Sequence, residues 1–167
     1  MSQHPLQKIA LISRDGVINQ WVEGGVNHRT QLQWIPNSIE ALASLSRQGY
    51  TLIVVTHQPG ISRGLLDLDE LEAIHNAIHL AVEKQEGNIA AFFYCPHDEQ
   101  DQCHCHPPKI GLLDVIEIEF DCDTKDAYFF CYTEQERQMA EQKGCHILRC
   151  DQDKNLSSQV NQLLINT

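Results

Sequence analysis

Apolar and β-branched residues gather in five short runs: Lys8 to Ser13, Tyr50 to Thr56, Ile89 to Tyr94, Ala127 to Cys131 and Cys145 to Arg149. Continuous runs of this length predict strands buried on both faces rather than half-exposed ones. Between them the apolar positions shift to a three-or-four spacing. One such stretch is opened by Pro36, carries Ile39, Leu42 and Leu45 on one face, and is closed by Gly49. A second runs from about Asp69 to Gln85 with Leu71, Ile74, Ile78, Ala81 and Val82 in register, and shorter, more polar ones lie near Thr133 to Lys143 and Leu156 to Leu164. Strand and helix alternate, which predicts an α/β fold, a Rossmann-like core around a parallel sheet of about five strands, with chemistry at the carboxyl ends of the strands. Four segments occupy those ends: Ser13-Arg14-Asp15-Gly16, Thr56-His57-Gln58-Pro59-Gly60, Cys95-Pro96-His97 and Cys131-Tyr132-Thr133.

Composition narrows the field. The 167 residues contain no repeat and no Gly/Ser-rich linker, so one domain over 1–167 is expected. With 23 acidic against 12 basic residues the net charge is −11, which speaks against nucleic acid as a partner. The apolar runs are too short to span a bilayer and the first residues lack the layout of a secretion signal, so no membrane partner and a cytoplasmic location are expected. Seven cysteines leave one unpaired in any all-disulfide scheme, which favours reduced thiols or metal ligands. Cys95-Pro96-His97, followed after five residues by Cys103-His104-Cys105, presents two close ligand pairs on a polar loop of about residues 95–105. Three thiolates and one imidazole satisfy tetrahedral zinc and leave no open position, so the zinc would be structural. His104 and His106 compete with His97 for the nitrogen position. Cys122, Cys131, Cys145 and Cys150 lie outside the cluster and read as free cysteines.

Together these residues resemble the haloacid dehalogenase superfamily of aspartyl phosphatases, in the histidinol-phosphatase-like branch to which heptose-1,7-bisphosphate phosphatases belong. The resemblance rests on Arg14-Asp15-Gly16-Val17-Ile18-Asn19, on Val54 to Gly64, and on Tyr94-Cys95-Pro96-His97 with Cys103-His104-Cys105. It implies a minimal or absent cap and a phosphate site at the end of the first strand. Several positions depart from the pattern. Ser13 stands where the resemblance implies an aspartyl nucleophile, two residues before the acid–base carboxylate Asp15. Pro107 stands at the phosphate-binding lysine, with Lys109 two residues on. Tyr132 stands at a metal-binding aspartate, and Glu136, four residues later, falls into a Thr133-Glu134-Gln135-Glu136 capping box.

These departures point to a catalytically impaired homologue, a pseudophosphatase serving as a binding, scaffolding or regulatory protein with a phosphorylated small molecule or a protein as partner. They also speak against Mg²⁺, because a serine and a phenol supply none of the charge that metal takes. The other reading is an active sugar-phosphate phosphatase with a reorganised site, in which Asp15 and Lys109, joined by Ser13 or His57, act on a sugar phosphate or related monoester. The ligand-binding candidates are Thr56, Gly16, His57, Arg63 and Lys109. Trp21 and Trp34 flank a Gly-rich loop at the expected mouth of the site and read as packing residues or as a ligand surface.

Overall fold

The computed structural model describes residues 7–167. Five strands, β1 (Ile9–Ser13), β2 (Thr51–His57), β3 (Ala91–Cys95), β4 (Tyr128–Cys131) and β5 (His146–Arg149), form one sheet in the order β3-β2-β1-β4-β5, and every pairing is parallel. Helices α1 (Ser38–Arg47), α2 (Leu68–Lys84), α3 (Gly111–Phe120), α4 (Glu134–Gln142) and α5 (Leu156–Ile165) fill the connections. This is the expected α/β arrangement. No helix among the described residues is long and apolar enough to cross a membrane.

The period of two along the strands divides the core. Ala10 and Ile12 of β1, Leu52 and Val54 of β2, and Phe130 of β4 point into a cluster that includes Ile39, Leu42 and Leu45 of α1, Ile74 and Ile78 of α2, and Val160 of α5. Ile9, Leu11, Ile53, Val55 and Phe129 face the other way, against Leu112, Leu113 and Ile116 of α3 and Met139 of α4. Both faces of the sheet are therefore covered, as parallel sheets require.

The chain leaves β1 toward β2 on one side and returns to β4 on the other. That makes the carboxyl end of β1 a switch point in strand order, where adjoining crossovers diverge and leave a crevice. The segment after β1 turns at Gly16, whose φ of +87° suits glycine. It is then held by Gln20 N–H donating to the Gln33 carbonyl (2.7 Å) and Ile35 N–H donating to the Ile18 carbonyl (3.0 Å). Arg29 fastens the same segment to α2 through Glu70, with an Nη2–Oε2 distance of 3.0 Å.

Candidate functional site

A cavity of about 300 Å³ opens at this switch point, with Ser13, Asp15, Thr56, Gln58 and Glu136 among its polar walls. Ser13 ends β1 and is buried apart from its approach to the cavity. Asp15 is the most heavily bonded group there. Its Oδ1 accepts from Arg14 Nη2 (3.0 Å) and Asn19 Nδ2 (3.1 Å), and its Oδ2 accepts from Gln58 Nε2 (2.8 Å) and Thr56 Oγ1 (3.3 Å). Burial works to raise the Asp15 pKa, but the Arg14 charge and the bonds from Asn19, Arg14 and Gln58 outweigh it, so the carboxyl titrates below its ordinary value.

Arg14 supplies that charge from inside the core. Its side chain is fully buried, and Nη1 donates to His75 Nε2 of α2 at 3.0 Å. Burial, then the Arg14 charge, press the His75 pKa down to about 3, so the imidazole stays neutral and can accept. It is stacked on Phe92 with ring centroids 4.4 Å apart. Asn19, Gln58 and His75 are positioning groups that the motif reading did not single out. Gln58 was readable as an amide two residues beyond Thr56, whereas the 61-residue separation of Arg14 and His75 gave no local signal.

Glu136 behaves differently from its sequence reading. The capping box at α4 forms as expected: Thr133 Oγ1 accepts from Glu136 N–H (3.1 Å), and Glu136 Oε1 accepts from Thr133 N–H (3.3 Å). The cap uses one carboxyl oxygen. Ser13 approaches the same carboxyl, yet the buried Oε2 completes no hydrogen bond. Burial raises the Glu136 pKa against the bonds from Ser13 and Thr133. A raised folded-state pKa contributes stability below the unfolded value of about 4.5, and that contribution is lost as pH rises through the folded value. Glu136→Gln is therefore expected to stabilise the protein by about 1 kcal/mol near pH 7 and to remove the loss of stability that sets in as pH rises above about 4.5, read in urea titrations. An equal loss of stability at pH 7 would mean that Oε2 is ionised and partnered.

The remaining candidates separate into those at the cavity and those away from it. Thr56, His57 and Arg63 line it. His57 donates from Nε2 to the His97 carbonyl (2.7 Å), and burial, its largest influence, holds its pKa below the ordinary value. Arg63 also meets Asp98, with Nε 3.7 Å from Oδ2. Gly16 lies under the Tyr132 ring, so close that a Cβ there would sit 2.3 Å from the ring. Lys109 is turned away: Nζ donates to the Cys103 carbonyl, and the residue is not part of this cavity's wall. Asp151 closes its own turn by accepting from Asp153 N–H and Lys154 N–H.

Cys95, His97, Cys103 and Cys105 bring their ligand atoms within 4.8 Å of one another. The Cys95–Cys103 and Cys95–His97 separations, 3.8 and 3.7 Å, are close to the edge of a tetrahedron with zinc-length bonds, about 3.7 Å, while Cys105 stands closer, 2.9 Å from Cys95 Sγ and 3.3 Å from His97 Nδ1. Nδ1 of His97 faces the cluster, so of the three competing histidines this is the one that stands among the cysteines. Gly111 at the start of α3 lets the helix approach the His104 carbonyl; a Cβ there would lie 2.3 Å from that oxygen.

Comparison with known proteins follows the same lines. No family model matches the chain. The D-glycero-beta-D-manno-heptose-1,7-bisphosphate 7-phosphatase of Pseudomonas aeruginosa is 39% identical over 125 residues, covering 74% of this chain and 69% of that protein. Its namesake from Bordetella bronchiseptica is 33% identical over 138 residues, covering 83% and 77%. The crystal structure of D,D-heptose 1,7-bisphosphate phosphatase from B. bronchiseptica superposes with a TM-score of 0.90 at 28% identity, covering 96% of this chain and all of that one.

That structure is complexed with magnesium and phosphate, and it corrects the expectation against Mg²⁺. The physical reason lies in Glu136, which the sequence assigns wholly to the helix cap. A carboxyl oxygen without a hydrogen-bond partner, lining one cavity with the Ser13 hydroxyl and Asp15, is a hard-oxygen donor of the kind Mg²⁺ takes together with waters and a phosphate. The parallel sheet with its switch-point cavity, the Cys/His cluster and the shared sequence have one explanation: the chain belongs to the heptose-1,7-bisphosphate phosphatase family of the haloacid dehalogenase superfamily.

Proposed function

We propose that the chain is a phosphoric monoester hydrolase acting on a phosphorylated sugar of the heptose-bisphosphate class, with a site rebuilt around Ser13, Asp15 and Glu136. The observation that carries this reading is the meeting of a hydroxyl and a buried, partly unpartnered carboxyl at the floor of a cavity of sugar-phosphate size. Ser13 Oγ stands where the family's nucleophile is expected. In the reaction Oγ bonds to phosphorus, its proton passes to Glu136, and the phosphorus–oxygen bond to the sugar breaks, the sugar oxygen taking a proton from solvent. Asp15, held ionised by Arg14, then orients the water whose oxygen bonds to phosphorus as the phosphorus–Oγ bond breaks, Glu136 returning its proton to Oγ and the water's proton leaving with the phosphate or to solvent. Glu136 and Asp15 would hold Mg²⁺, which when bound would supply charge neutralisation to the phosphoryl group. Cys95, His97, Cys103 and Cys105 hold a structural zinc in this reading.

A second reading, ligand binding without turnover, is favoured by one specific observation. Tyr132, where the family pattern has a metal-binding aspartate, offers a ring packed on Gly16 in place of a charge. Phosphate release from heptose 1,7-bisphosphate and a panel of sugar phosphates, with and without Mg²⁺, separates the two. Hydrolysis predicts turnover that falls at least ~100-fold in both Ser13→Ala and Asp15→Ala. Saturable binding of the same esters with no phosphate released establishes the second reading instead.

A further inference from the structure

Tyr132 has a structural role that its family position does not suggest. Its ring lies on the Gly16 backbone, and on its other flank it meets Trp21 with ring centroids 5.4 Å apart at 37°. Trp21 is 53% exposed and lines the cavity that contains Ser13 and Asp15. The segment carrying it is pinned by the Gln20–Gln33 and Ile18–Ile35 backbone bonds and by the Arg29–Glu70 ion pair. The indole is thus propped from beneath and open at the mouth of the cavity. A large aromatic surface left half in water, on a fastened loop beside a polar pocket, gains by covering its apolar area with a ligand.

From this stack we infer that Trp21, supported by Tyr132, is the ring-binding platform of the site: the ester's phosphate enters toward Ser13 and the apolar C–H face of a pyranose ring lies on the indole. The proposal rests on the phosphate-site reading above and deepens it, because it specifies a cyclic sugar rather than an open-chain phosphate. It also gives the Tyr132 replacement a purpose, namely exchange of a charge for an aromatic support. Asn27, Pro59 and Gly60 close the cavity near this wall and leave the indole as its large apolar surface.

The test compares inorganic phosphate, glycerol 3-phosphate and a hexopyranose 6-phosphate by stopped-flow tryptophan fluorescence, read before turnover. A Trp34→Phe background leaves Trp21 as the sole indole reporter. The pyranose ester is expected to bind about fivefold more tightly than glycerol 3-phosphate, and to perturb Trp21 emission. Trp21→Ala, an exposed position whose loss the fold tolerates, is expected to make the two esters equal when read by calorimetry. Tyr132→Phe should preserve the preference, and Tyr132→Ala should remove it. Equal affinities in the unaltered protein, or a preference that survives Trp21→Ala, overturn the platform while leaving phosphate binding intact. If neither ester nor inorganic phosphate binds, the phosphate-site reading falls and the platform with it.

Discussion

Replacing Arg14 with methionine is expected to lower the unfolding free energy by about 3 kcal/mol, among the largest effects of any single substitution near the site. The guanidinium is fully buried, with its Nη atoms divided between His75 and Asp15 and its Nε without a partner. Methionine fills much the same volume, so the cost is chiefly electrostatic: the Asp15 carboxylate loses its counter-ion while keeping only neutral donors. The figure sits at the low end for broken buried pairs because the Asp15 side chain keeps 15% exposure. The pH dependence follows from the direction of the Asp15 shift. Its folded pKa lies below the ordinary value of 3.8, so the unaltered protein has the full benefit above that value and loses it as pH falls through the folded pKa. In Arg14→Met the carboxyl titrates higher, and stability should begin to change well above pH 4. Urea denaturation from pH 3 to 8 reads both effects, with Asp15→Asn in the same background expected to recover part of the loss. A cost below about 1 kcal/mol with an unchanged pH profile would show that the pair does not hold the turn.

The same residue marks the limit of what the sequence discloses. The five strands were legible because each falls in a short run rich in apolar and β-branched residues, and the observed elements fall within two residues of those runs; burial on both faces holds for β1 and most of β2 and β4, whereas the edge strands β3 and β5 leave Tyr94, His146 and Arg149 exposed. Helix α3 was not. Its sequence, GLLDVIEIEF, places apolar residues around the whole cylinder: Leu112, Leu113 and Ile116 are buried, while Val115 and Ile118 are exposed at 45% and 79%. No stripe survives for periodicity to detect. The Cys/His loop was legible because close ligand pairs carry their own chemistry. Lys109, by contrast, was placed near the phosphate on the length of its side chain, and the loop instead directs it to the Cys103 carbonyl. Glu136 shows how a correct local reading can hide a second role. The capping box exists, but it engages one oxygen and says nothing of the other. Arg14 was quoted in a motif for its neighbours; that it is a buried cation supported by a histidine on α2 depends on packing across the sheet, which no local pattern encodes.

Removal of the metal from the Cys/His cluster is expected to lower the melting temperature by about 10 °C, corresponding to roughly 3 kcal/mol for a chain of this size. Between β3 and α3 the chain has only one short 3-10 turn, Glu99–Asp101, and His97, Cys103 and Cys105 are half-buried at best. Such a segment buries little apolar surface to offset the entropy of ordering it, so ligation would supply much of its shape. The effect also reaches the cavity, because this loop supplies Glu99, His106 and Pro107 to its wall, and His57 is held by the His97 carbonyl. Protein purified without chelator should therefore carry one zinc per chain by elemental analysis. Cys103→Ser and Cys105→Ser should each lose the metal, melt lower, and bind sugar phosphates more weakly even where the sheet remains folded by circular dichroism. A metal-free protein that melts at the same temperature with and without added zinc would show that the four side chains are neighbours without being ligands.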